Sequence, residues 1–448
     1  MAQLEFLYSQ SELQEIATDI VKKAQQLGAT DAQVELSERI STDIEVLNQG
    51  IENFETSHEN QLLLTVFKGH KKGNIGISSI KFDQLETTIK QALDIATYTE
   101  EDPANGILEA ELIAPKYAID LELYNPYSID NLTLINQAKE LEQLALNNTQ
   151  IKSSDGASIS LTKYNFLTAN SNGLNHGYQT TRYSKYISLI GANADGMQTD
   201  YWYSSTRNFN DLLDNQTLSD VATQKVLRRL NKGSYSSAKP AIIFESSTAK
   251  SIIGSLMGAL SGGNLYRRLS FLNDSLNKTI MPEWITIEED PFVKKGLASC
   301  YFDNEGSKVT KREIIKNGMV TGYLLSSYSA RKMSMTSTGN AGGNHNIFVK
   351  NNFSGNLDAL AKQMNNGVII IETIGHGLNM VTGDYSVGAS GLVVISGAIS
   401  HFVDNLTISG NMREIYQNIV AISDDYEFSS VMCGSMLIAP NTIQITSK

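Results

Sequence analysis

Two apolar runs, Val368-Ile-Ile-Ile371 and Leu392-Val-Val-Ile395, flank the polar stretch Gly375-His-Gly-Leu-Asn-Met-Val-Thr-Gly-Asp-Tyr-Ser386, and this arrangement decides the fold class. Each run is short and strand-like, and Gly and Asn punctuate the text between such runs. Thr442 to Ile445 is another of them. Strands follow strands without regular intervening helices, so the region beyond Gly262-Gly263 reads as sheet-dominated α+β. Just upstream, Pro240-Ala-Ile-Ile-Phe244 reads as a strand. A helix follows it, with Ala249, Ile252, Ile253, Leu256, Met257 and Leu260 at helical spacing. Gly262-Gly263 supplies its stop and a tight backbone approach.

Further toward the N-terminus, Ser158 to Trp202 reads as a β-meander punctuated by Ser171-Asn-Gly and Asp195-Gly. Tyr183, Tyr186, Tyr201, Trp202 and Tyr203 crowd this meander, as core or cross-strand pairs or as a peptide-binding wall. Helices are expected at Leu132 to Leu146 and near Leu218 to Leu230. Thr99 to Pro126 contains Glu-Glu-Asp and three prolines with little periodicity, which marks a linker. The first block has a helix whose start is signalled by capping-box spacing at Ser11 and Gln14. It also has strands around Ala32 to Leu36 and Leu62 to Phe67, and a turn at Asn48-Gln-Gly50. A second helix starts at Asp83, again with capping-box spacing, to Glu86. The expected organisation is an N-terminal helix–strand domain over 1–108, a middle segment over 109–232 and a large sheet-dominated C-terminal domain over 233–448. No tandem repeat of fixed period is present.

Composition narrows the function classes. With 448 residues, 41% apolar and 19% charged, the chain is of ordinary globular type. A formal charge of -12 opposes binding to a phosphate backbone, which needs Lys and Arg to displace counterions. The basic run Lys68-Gly-His-Lys-Lys72 reads as a solvated hairpin tip. The start lacks the basic and apolar regions of an export signal, and no stretch approaches the ~18 apolar residues that span a bilayer. Two cysteines in so long a chain fit a reducing cytoplasm. No nucleic-acid or membrane partner is expected.

Familiar catalytic motifs are missing. None of the six histidines lies four or five residues from another, so there is no helical two-histidine ligand pair. His58-Glu59 begins like a zinc-peptidase motif, but Leu62 and Leu63 stand where the second imidazole belongs. Gly383-Asp-Tyr-Ser-Val-Gly388 has the wrong spacing for a nucleophile elbow. Gly258 to Gly263 lacks the Gly-Lys-Ser/Thr of a phosphate loop. Polar and glycine-rich text remains in three places: Tyr301-Phe-Asp-Asn-Glu-Gly306, Ser337-Thr-Gly-Asn-Ala-Gly-Gly343 and the 375–386 stretch. Such loops suit a cleft gripping an extended peptide through main-chain hydrogen bonds, or are plain turns of a large β structure. The substrate-binding candidates they contain are Asp303, Glu305, Thr338, Asn340, His376, Asn379 and Asp384.

These strings, together with Tyr328-Ser-Ala-Arg-Lys332, Ser409-Gly-Asn411 and Cys433-Gly-Ser435, resemble the characteristic segments of the TldD/PmbA metallopeptidase family. They occur in the family's order along essentially the whole chain, and look most like its TldE (PmbA) branch. The resemblance implies that the helix after Phe244 matches the one that bears His-Glu-x-x-x-His in TldD-type chains. The motif's His, Glu and His positions then fall on Gly254, Ser255 and Ala259, and Cys433 is the one retained candidate ligand. It further implies that this chain carries no complete metal site and no cofactor of its own. The expected assembly is a heterodimer with a TldD-type subunit, which supplies zinc and the catalytic glutamate and acts on unfolded or leader peptides. A homodimer in the partner's absence is left open. Two alternatives stay beside this reading: a self-sufficient peptidase with scattered ligands such as His376, Asp384 and Cys433, and a non-enzymatic peptide-binding adaptor.

Overall fold

The computed structural model describes residues 5–78, 84–116, 119–194 and 196–447. The chain begins with helix α1 (Gln10–Gln26), strands β1 (Asp31–Leu47), β2 (Gly50–Lys68) and β3 (Lys71–Ile77), and helix α2 (Leu85–Tyr98). After an extended connection come α3 (Asn131–Leu146), β4 (Ile151–Asn170), β5 (Asn175–Asn193), β6 (Gly196–Thr206) and α4 (Asn215–Leu230). The α1 capping box is formed by Ser9 and Glu12, not by Ser11 and Gln14. Ser9 wins because Glu38, fully buried on β1, accepts the Leu7 and Tyr8 amides and fixes where the chain enters the helix. Replacing Ser9 by Ala is expected to cost about 1 kcal/mol in urea unfolding. α2 starts after Gln84 without a side-chain cap, and the expected cap at Asp83 lies outside the described residues.

The six strands form one antiparallel sheet in the order β3-β2-β1-β4-β5-β6. Strands of 17 to 20 residues make it unusually long, about 60 Å at ~3.3 Å per residue. Val34, Leu36, Ile44 and Val46 share the β1 parity that points to one face. Helices α1 and α2 cover that face at one end, and α3 and α4 cover it at the other. The N-terminal block and the middle meander therefore share a sheet that runs through the boundary expected at 108/109. At the turn, Glu142 on α3 accepts the amides of Asn48 and Gln49, both at positive φ.

The remaining chain comprises β7 (Ala241–Phe244), α5 (Ser246–Ala259), α6 (Gly262–Tyr266), β8 (Ile287–Asp290), β9 (Arg312–Lys316), β10 (Met319–Val320), α7 (Ser327–Lys332) and β11 (Asn346–Val349). Then follow α8 (Leu357–Met364), β12 (Gly367–Ile374), β13 (Asp384–Ile395), β14 (Ala398–Asn411), α9 (Met412–Gln417), β15 (Ile419–Ile422), β16 (Val431–Met432), β17 (Met436–Ile438) and β18 (Gln444–Ser447). Seven strands order as β15-β17-β7-β12-β13-β14-β18, and five as β10-β9-β8-β11-β16. Apolar residues run consecutively in β7 and β12 because both faces are covered. Ile242, Phe244, Val368 and Ile370 pack with α5, and Ile243, Ile369 and Ile371 with α8. The architecture is α+β, with a sheet-rich C-terminal part.

Two family-like strings join the halves of the molecule. Phe302 packs on the second face of the long sheet against Phe166 and Tyr178. Arg331 donates to the carbonyls of Ala104, Gly106 and Ile107 and pairs with Glu109, while Tyr328 and Lys332 hold Asp102. The segment expected as a linker is thus tied down by α7. Among the described residues no helix is long and apolar enough to cross a membrane.

Candidate functional site

Ser246 ties the start of helix α5 to the Cys433 carbonyl, and the helix's Ile252, Ile253, Leu256 and Met257 side drops into the C-terminal core. The opposite side carries Gly254 and Gly258, which border an open depression of about 420 Å³. Its other wall is the Asn340-Ala-Gly-Gly-Asn344 loop, and its floor includes Ser261 and Leu324. Gly254 is exposed, and a Cβ there would meet nothing within 4 Å. Ser255 is half-buried and spends its hydroxyl proton on the Ser251 carbonyl at 2.9 Å. Ala259 is fully buried and faces the core, away from the depression.

The 340–344 wall is held by buried charge. Glu289, at 0% exposure, accepts from Arg312 Nε at 2.9 Å, Asn340 Nδ2 at 2.7 Å and the His345 amide at 2.9 Å. Asn340 completes the ring by accepting from Arg312 Nη2 at 2.8 Å. Thr338 Oγ1 accepts the Leu325 amide and lies 2.8 Å from Asn340 Oδ1. Gly339 sits at φ 73°, where a Cβ would come within 2.3 Å of the Lys308 carbonyl oxygen, so only glycine fits this crossing. His345 Nε2 lies 2.9 Å from the Gly339 carbonyl, so it is the protonated nitrogen and leaves Nδ1 to face Cys300 Sγ at 3.4 Å. Burial lowers the imidazole pKa and pushes the Cys300 thiol up to about 12, so both are neutral.

Asp303 accepts three amides, from Glu305, Ser307 and Ala341. Burial, reinforced by the Glu305 charge, outweighs those bonds and raises Asp303 to about 7. Glu305 accepts the Ser327 amide at the start of α7. Asp303, Glu305, Thr338 and Asn340 therefore converge behind the loop wall, where their polar atoms position backbone. His376 and Asn379 are exposed on the β12–β13 connection, and Asp384 is exposed at the first position of β13. Asn379 caps the Val381 and Thr382 amides, and Asp384 binds Thr382 and Asn411. Hydrogen bonds from Thr382 and then Asn411 hold the Asp384 carboxyl below its usual range. This connection reaches α5 through Met380, whose carbonyl accepts the Phe271 amide and whose methyl stands over Gly258. Sequence reasoning missed Glu289, Arg312, His345 and Cys300; the signal was a carboxylate at the inward position of the alternating run Ile285, Ile287, Glu289.

A catalytic zinc needs about three protein ligands and an open position. The family-implied positions offer a bare backbone, a hydroxyl turned back onto its helix and a buried methyl. Cys433 is fully buried, and burial pushes its thiol up to about 12. His58 does not stand on a helix but on β2, with Nε2 3.2 Å from Glu38. Among the described residues no three His, Cys, Asp or Glu side chains are grouped to hold a metal ion. The described residues at the family-implied positions do not fit zinc.

Models of three PmbA/TldA metallopeptidase domains match this chain: domain 1 over residues 32–96, the central domain over 124–230 and the C-terminal domain over 237–445. The chain is 37% identical over 431 residues to a protein named metalloprotease PmbA homolog from Haemophilus influenzae, covering 96% of this chain and 95% of that one. It is 36% identical over 409 residues to metalloprotease PmbA from Escherichia coli O157:H7, covering 91% and 90%. The crystal structure of TldE from Thermococcus kodakarensis has the same fold, with a TM-score of 0.85 at 18% identity over 96% of this chain and 99% of that one. Full-length matches to the relatives and ordered matches to three successive domains agree: the chain belongs to the PmbA/TldD metallopeptidase family.

Proposed function

We propose that this chain is the non-catalytic, TldE-like subunit of a cytoplasmic metallopeptidase heterodimer that cleaves unfolded or leader peptides. The partner is a TldD-type chain, which brings the zinc and the catalytic glutamate. The observation that carries this reading is the chemistry of α5. Its groove side presents Gly254 and Gly258 backbone to an open depression, with no imidazole or carboxylate to bind a metal or activate water. What remains suits the close approach of an extended chain: a helix side without bulky side chains at Gly254 and Gly258, and a glycine-rich wall made rigid from behind by Glu289, Arg312 and Asp303.

Purification of the chain alone and together with a TldD-type chain tests the proposal. The isolated chain is expected to hold well under one zinc per molecule and to leave denatured peptides uncut. The mixture is expected to form a stable complex with chelator-sensitive cleavage. Replacing Cys433 by Ala should leave that cleavage nearly unchanged in an assembled complex. Stoichiometric zinc with peptidase activity in the lone chain would favour scattered ligands and sink the proposal. A complex that binds peptides but never cleaves them would favour the adaptor.

A further inference from the structure

A second groove lies between the free edge of β6 and the C-terminal part, and reaches the α5 turns that precede Gly254. Its main compartment measures about 740 Å³ and is lined by consecutive residues from Trp202 to Arg207. Lining by every residue in turn means that the strand presents its edge there, since a strand face would contribute alternate residues only. Strand β6 pairs with β5 on one side, and among the described residues no strand occupies its other side. The amide of Tyr201 donates to its neighbour Asp200 Oδ1 at 2.8 Å, which sets the odd-numbered N–H and C=O groups outward. A smaller compartment of about 260 Å³ continues the groove past Trp202 and Tyr203 to Ser247 and Ser251 on α5.

The charge of this groove opposes that of the molecule. In a chain of formal charge -12, the main compartment gathers Arg182, Arg207, Lys250, Lys294 and Lys295. The three lysines are ion-paired with Glu427, Glu122 and Asp211 in turn, which leaves the two arginines without a carboxylate among the described residues. Arg182 donates its Nε to Ser205 on β6 itself and forms no ion pair among the described residues. Arg207 spends its donors on the Thr181, Gly296 and Leu297 carbonyls, again without a carboxylate. Tyr203 and Phe428, 47% and 51% exposed, stand beside the edge.

We infer that this groove is a docking site for an extended acidic peptide segment, which adds to β6 as a further strand. The open edge supplies main-chain partners, Arg182 takes an acidic side chain with the paired lysines adding positive potential around it, and Tyr203 with Phe428 covers intervening apolar ones. Nucleic acid is the poorer fit, since it has no backbone N–H and C=O to complete a strand edge and meets an acidic molecule around the groove. The inference shares the peptide-handling reading above but needs neither zinc nor the partner chain.

The test uses the full isolated chain and a labelled octapeptide alternating Glu and Val, followed by fluorescence anisotropy. Saturable binding is expected, weakened at least tenfold when Lys replaces Glu in the peptide. N-methylation of alternate peptide amides should weaken it at least tenfold in one register and much less in the other. The double variant Arg182→Glu with Lys294→Glu, checked for an unchanged melting curve, should also lose at least tenfold. Equal affinity for the Lys peptide, full affinity in the folded double variant, or no saturable binding would each overturn the inference. Competition of the peptide with self-association in sedimentation would give the edge to a second copy and overturn it too. A loss here with partner-dependent cleavage intact separates this groove's failure from that of the proposed function.

Discussion

Replacing Glu289 by Ala is expected to destabilise the protein by about 3–5 kcal/mol, because it removes one half of a buried ion pair and leaves the other half in place. Arg312, Asn340 and the His345 amide all converge on this carboxylate, and none has a second acid within its bonds. Their stranded donors are each costly away from water. Urea unfolding followed by circular dichroism measures the loss. The companion experiment replaces the pair together, Glu289→Leu with Arg312→Met, and should recover only the part owed to the unpaired Arg312 charge, since the Asn340 and His345 donors still lack Glu289. The recovered protein should still show faster hydrogen exchange over 338–345, because the ring that anchors the loop wall is gone. A single Ala variant within 1 kcal/mol of the parent would contradict the role assigned to Glu289.

A second large effect is expected at Glu245, which precedes α5 and receives Arg228 through both oxygens, with Lys225 alongside. Burial pushes its pKa up, but the bonds and charges of Arg228 and Lys225 outweigh that and hold it at about 2, against an ordinary 4.5. A depressed carboxylate pKa contributes stability that is complete above the unfolded value and disappears as the pH falls toward the folded one. Glu245→Gln should therefore cost roughly 3 kcal/mol near neutral pH. The gap between parent and variant should shrink to less than half of that near about pH 3. A gap of constant size between about pH 7 and pH 3 would mean that Glu245 acts through shape and not through its charge. Because Arg228 and Lys225 lie on α4 and Glu245 begins α5, the same measurement reports how firmly the meander half is bolted to the C-terminal half.

How much of the site was legible follows from what each residue had to do. The glycine-rich strings were visible as unusual text, and two of them do form one wall and the neighbouring connection of a groove. Their polar residues are candidates to face a ligand, with plain turns of a large β structure as the alternative. The structure turns Asp303, Thr338 and Asn340 inward, because a loop of Gly339, Gly342 and Gly343 has few side chains of its own to keep it in shape and is held from behind. The capping box moved from Ser11 to Ser9 for a similar reason: local spacing allowed both, and a distant carboxylate, Glu38, selected one.

The order of residues alone determined the α+β class, the strands around Val368 and Leu392, the helix carrying Gly254 and the absence of a local metal motif on it. Those properties live in periodicity and residue type within a dozen positions, where side-chain chemistry acts on its own backbone. Only the tertiary structure decided that the first two blocks share one long sheet, that Ala259 faces the core and that Cys433 is sealed beneath α5. It also decided that Glu289 joins loops and strands 20 to 60 residues apart. Such pairings depend on which distant segments exclude water together, and burial of that kind is a property of the packed chain that no short stretch contains.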